Sequence, residues 1–121
     1  MNLEILSIKE HGDATKEYVM LYANATIDLG NYAIVDTTFN KKGNVSNVMR
    51  HYYRFPKGYI VKKGECVSLW TCKGTDKGGL KTTLGTPLHR FFWGSSAAIW
   101  NDDNIDVAEL LHVKTLERTA A

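Results

Sequence analysis

Acidic side chains are missing from a long central stretch: between Thr37 and Gly64 there is no Asp or Glu. Net charge over the 121 residues is only +2, so that gap reflects uneven distribution rather than a strongly basic chain. Residues 1–36 carry a net −4, residues 37–90 a net +9 and residues 91–121 a net −3. Long apolar runs are missing too. None approaches the roughly 20 residues that a membrane-crossing helix needs, so no membrane span is expected. The first residues, Met1 to Ile8, have no basic start and carry Glu4 inside their apolar stretch, unlike a signal peptide. The expectation is a chain that stays inside the cell or follows a removed leader. Cysteine is scarce, with only Cys66 and Cys72. Six apart in what reads as one strand, they would lie about 20 Å from each other, beyond disulfide reach. Free thiols fit a reducing, cytoplasmic compartment.

Catalytic and metal motifs are also absent. There is no Gly-x-Ser-x-Gly, and the four histidines (His11, His51, His89, His112) fall in four different expected elements. Nucleophilic catalysis needs a nucleophile, a base and an orienting group brought together, and nothing here announces them. The cysteine and histidine spacing matches no zinc site. Asp102, Asn104 and Asp106 place oxygen donors at alternate positions, as a calcium loop begins. The loop's glycine and bidentate glutamate would then fall on Val107 and Val113, so these three are metal candidates without the rest of the loop. Their plainer role is an acidic turn whose side chains bond their own backbone. No enzyme activity, cofactor or bound metal is expected.

What the chain does have is short alternating runs separated by turn residues. Leu3, Ile5 and Ile8 mark a first strand, and Thr15–Tyr22 alternates Val19 and Leu21 against Tyr18, Met20 and Tyr22. Ile27–Val35 reads as a strand kinked at Gly30-Asn31, and residues 36–46 as a polar loop. Asn47–Phe55 reads as a long strand, with Tyr53 and Phe55 on one face and Arg50, Tyr52 and Arg54 on the other. From Tyr53 to Trp70 two strand-like runs are joined by a Pro56–Gly58 corner and a Lys62-Lys63-Gly64 turn, a path that carries a chain from one sheet to another. Thr71–Pro87, rich in glycine, lysine and threonine, reads as a mobile loop. Phe91–Trp93 and Asp106–Leu116 read as the last strands. The whole, with 44% hydrophobic residues and no helical period, predicts one domain spanning residues 1–121. The expected architecture is an all-β, antiparallel sandwich of about seven to nine strands, with a closed barrel as the next choice.

Several of these segments, taken in order, resemble the lamin tail domain, an immunoglobulin-like sandwich. The resemblance is carried by Glu17–Leu21, Ile27–Ile34, Tyr53-Arg54-Phe55-Pro56, Ile60–Glu65 and the strand into Trp70. It ends with Trp93-Gly94 and Ile99-Trp100-Asn101-Asp102-Asp103, so it covers about residues 3–114. Two features depart from it: no coiled-coil rod is expected before the domain, as in a stand-alone or microbial-type member, and the 36–46 loop is long. The resemblance implies a non-catalytic module, since members of that family bind proteins or nucleic acid or accompany hydrolases and membrane-associated proteins. It transfers no ligand residues.

Two surfaces are candidates on residue chemistry. The Tyr18, Met20, Tyr22 row is a protein-interaction candidate if left uncovered, for an unidentified partner or a second copy of the chain. Covered by a loop or the first strand, it would be plain packing. Lys41, Lys42, Arg50, Arg54, Lys57, Lys62 and Lys63, interleaved with Tyr52 and Tyr59, are polyanion-binding candidates, nucleic acid included. The alternative is a solvated outer sheet whose lysines blunt an edge.

Overall fold

The computed structural model describes residues 1–38, 51–100 and 106–121. The early alternation becomes a pair of antiparallel strands, β1 (Leu3–Lys9) and β2 (Tyr18–Ala23). The Gly30-Asn31 kink becomes a 3-10 turn, Leu29–Asn31, between β3 (Ile27–Asp28) and β4 (Tyr32–Thr38). Asp28 caps that turn by accepting a hydrogen bond from Gly30 N. The remaining strands are β5 (Tyr52–Arg54), β6 (Ile60–Val61), β7 (Cys66–Trp70), β8 (Lys77–Lys81), β9 (Pro87–Phe92) and β10 (Asp106–His112). They form a five-stranded sheet in the order β1-β2-β7-β9-β8, a three-stranded sheet β10-β4-β5, and a two-stranded ribbon β3-β6.

The core lies between the two larger sheets. Val19, Leu21, Val67, Leu69 and Phe91 from the five-stranded sheet meet Ile34, Tyr53 and Leu110 from the three-stranded one. An aromatic chain runs through this seam: Tyr53 packs edge-on against Phe55 (ring centroids 5.1 Å), Phe55 against Phe91 (5.3 Å) and Phe91 against Tyr59 (5.0 Å). The fold is thus an all-β sandwich. The Tyr53–Trp70 stretch does cross between sheets, leaving β5, passing through β6 and entering β7.

Four expectations need correction. The Thr71–Pro87 stretch is not a plain loop, because Lys77–Lys81 pairs with β9 as the edge strand β8. Its alternation was hidden by a register shift at Gly78 and Gly79. The segment before it is held as well: Phe92 N donates to Asp76 Oδ1, and a Cβ on Gly74 would lie 2.4 Å from the Phe92 ring. The sheet is not antiparallel throughout, since β7 and β9 run parallel. Residues 71–86 carry the chain out to the edge and back, so that β9 inserts between β7 and β8. The last strand stops at His112 rather than Leu116, where Val113 N turns to donate to Asn31 O. Cys72 lies beyond the end of β7, and both cysteines are free. Of the long strand expected over 47–55, residues 47–50 lie outside the described residues, as do Phe39–Ser46 of the polar loop.

Candidate functional site

The outer face of the five-stranded sheet is set by register. Tyr18 pairs with Trp70, Met20 with Ser68 and Tyr22 with Cys66, while Trp70 pairs with Phe92 and Ser68 with Arg90. Paired residues share a face, so Tyr18, Met20, Tyr22, Trp70, Phe92 and Arg90 form one surface. Tyr18 stacks on Trp70 at 4.5 Å, Trp70 Nε1 donates to Ser68 Oγ, and the Arg90 guanidinium lies 5.1 Å from the Trp70 ring centroid. The expected row of Tyr18, Met20 and Tyr22 is half-buried: it faces outward, but its neighbours on adjacent strands cover part of each side chain. Val19 and Leu21 are fully buried, as expected.

The basic candidates divide. Arg54 and Lys57 line a cleft of about 390 Å³ at the end of the three-stranded sheet, together with Asn31, His112, Lys114 and Thr115. Tyr52, two residues from Arg54 on the same face of β5, is 54% exposed. Lys62 and Lys63 belong elsewhere, on the exposed β6–β7 turn, where their backbone N–H groups bond Glu65 Oε1 and Thr26 Oγ1. Lys41, Lys42 and Arg50 lie outside the described residues. So do Asp102, Asn104 and the side chain of Asp106, whose backbone opens β10. Among the described residues no group of three His, Cys, Asp or Glu could hold a metal ion.

Local chain geometry builds the cleft. Gly30 sits so close to the Pro56–Lys57 corner that a Cβ on it would be 2.4 Å from Lys57 Cα. Asp28 ties the two segments: Oδ1 accepts from Gly30 N (2.9 Å) and Gly58 N (3.0 Å). Arg54 is fixed by donating from Nε to Gly30 O (2.9 Å) and from Nη1 to Thr115 Oγ1 (3.0 Å). Sequence reasoning missed Asn31, His112, Lys114 and Thr115, because nothing local shows that the end of β10 returns to the 29–31 turn.

Two clusters of titratable groups lie outside both surfaces. His89 Nε2 is 3.1 Å from Glu65 Oε1 and its Nδ1 is 2.7 Å from Tyr59 Oη. With Nε2–H donating to the carboxylate, Nδ1 accepts from the phenol; this tautomer is assigned from the network. Burial, then the nearby carboxylates of Glu65 and Asp76, push the Tyr59 pKa up. Bonding to Lys62 N, and more weakly to His89, holds the Glu65 carboxyl below its usual range. These two hydrogen bonds make the trio a pin between the β6–β7 turn and β9. In the second cluster, Asp36 accepts from the backbone N–H of His51 and lies 3.1 Å from its Nδ1.

A third group is buried more deeply. The Glu17 carboxylate is fully buried and accepts from Gly12 N, Thr71 Oγ1, Ile99 N and Trp100 N. It knots three segments distant in sequence. Compared with models of known protein families and with curated proteins, the chain matches none.

Proposed function

We propose that the chain is a non-catalytic binding module of the immunoglobulin-like, lamin-tail type, and that its main partner is a protein docked on the outer face of the five-stranded sheet. The observation that carries this reading is the make-up of that face. Two tyrosines, a methionine, a tryptophan, a phenylalanine and an arginine lie side by side on β2, β7 and β9. Aromatic residues, methionine and arginine are the types enriched at the centres of protein interfaces, while lysine and acids are depleted there. Tyr18 and Trp70 are already stacked, so little side-chain freedom is lost on docking. The ordered resemblance to lamin tail domains supports the same class.

Met20→Lys places a charge in the middle of the face while leaving Val19 and Leu21 in the core. Sedimentation equilibrium reads self-association, and parallel capture on immobilised wild-type and variant protein reads a foreign partner. Association lost in Met20→Lys with an unchanged melting curve is the expected result. Association that survives the substitution sinks the reading.

A second reading, nucleic acid or another polyanion, is favoured by one observation: Arg54 and Lys57 meet Lys114 in a single cleft beside the exposed Tyr52. Failure of an unphosphorylated single strand to bind at low salt would end it.

A further inference from the structure

We propose that the cleft at the end of the three-stranded sheet is a binding site for one phosphate monoester, held by Arg54, Lys57 and Lys114. This site rests on the polyanion reading, narrowed to a single group, and the two can fail separately.

Charge comes first. Three cations and one carboxylate line the cleft, a formal net of +2 from these four groups, which matches a phosphate monoester dianion. The one acid, Asp28, is turned to other use, since both its oxygens accept backbone N–H groups: Oδ1 from Gly30 and Gly58, Oδ2 from Gly58 at 3.3 Å. Among the described residues Arg54, Lys57 and Lys114 have no ion-pair partner. Three unpaired cations held around one concavity repel one another, and an anion relieves that repulsion.

The Arg54 guanidinium uses Nε and one Nη1 hydrogen on Gly30 O and Thr115 Oγ1, which fixes its plane and leaves its other N–H groups for a ligand. Thr115 Oγ1 accepts from Arg54, so its own hydrogen remains to be donated. The Asn31 side chain adds a neutral amide donor on the cleft wall. A carboxylate needs only the arginine fork. Two further lysines and two neutral donors suit an anion with three terminal oxygens. At about 390 Å³ the cleft has room for the phosphate and for the group that bears it.

The test is an NMR and calorimetric titration of the whole chain with inorganic phosphate, ribose 5-phosphate and acetate, repeated on Lys57→Gln/Lys114→Gln. Both lysines are exposed, so the double variant is expected to fold normally. Phosphate and ribose 5-phosphate should shift the amides of residues 28–31, 54–58 and 112–115, and the double variant should weaken binding by about tenfold or more. Arg54→Lys, which keeps the charge but loses the fork, should weaken it too. No shift at about 20 mM phosphate, or equal binding by the double variant, overturns the proposal. So does acetate binding as tightly as phosphate. A 5′-phosphorylated oligonucleotide and its unphosphorylated twin separate the sources. Dependence on the terminal phosphate supports the site on a strand end, and ribose 5-phosphate binding as tightly supports a small ester. Equal binding of both strands with none of ribose 5-phosphate overturns the monoester and leaves the polyanion reading standing.

Discussion

Glu17 shows how much one side chain can decide. It opens an alternating run whose next residues, Tyr18 to Tyr22, read plainly as a strand, yet its own role is invisible in that pattern. Its carboxylate collects two backbone N–H groups from Ile99 and Trp100 and the Thr71 hydroxyl, all three bonds buried, and a fourth bond from Gly12 N at the exposed side of the site. A buried acceptor with four donors is stabilising only while all partners remain. Removing it leaves several buried donors unsatisfied. Glu17→Ala is expected to cost about 3–5 kcal/mol, read as a drop in the urea midpoint. A loss under about 1 kcal/mol would show that water or rearrangement replaces the carboxylate.

Among the elements, the short pieces matter most. The 3-10 turn Leu29–Asn31 and the Pro56–Gly58 corner lie against each other, and only glycine at position 30 allows the approach. Gly30→Ala is expected to destabilise by about 1–3 kcal/mol, because the atoms a methyl group would meet, Lys57 Cα and N and Pro56 O, are backbone and cannot swing aside. It should also weaken phosphate binding, since the same contact sets the Lys57 backbone. A variant with full thermal stability and unchanged binding would refute that link. Elements with clean period-two alternation, β2 and β7, were legible from residue pattern alone. The edge strands were less so. In β8 the register shift at Gly78-Gly79 erases the alternation, and in β1 a bulge leaves Leu6 as an extra residue, 53% exposed. A bulge on an edge strand also discourages another chain from pairing there.

At the scale of the whole molecule, the two sheets are joined through aromatic rings rather than through a disulfide. Tyr53 sits in that seam against Phe55 and, at 5.7 Å, Trp93. Burial, with a smaller push from Asp76, raises its phenol from 10.0 to about 12. The folded pKa lies above the unfolded one, so the folded state holds the proton longer. Stability is therefore intact below about pH 10 and falls as the pH rises from 10 towards 12. Tyr53→Phe should flatten that alkaline loss, measured as melting temperature against pH; an unchanged slope would place the titrating group elsewhere. The sequence by itself determined the strand-forming runs, the buried faces Val19/Leu21 and Tyr53/Phe55, and the crossing between sheets after Arg54. These follow from side-chain alternation and from proline and glycine, which act over two to four residues. Only the tertiary structure decided that β9 slots in parallel beside β7, that Glu17 gathers donors from Thr71 and from Ile99-Trp100, and that Arg54 and Lys57 meet Lys114 while Lys62 and Lys63 do not. Those are meetings between residues tens of positions apart, set by how the sheets pack, and no local pattern encodes them.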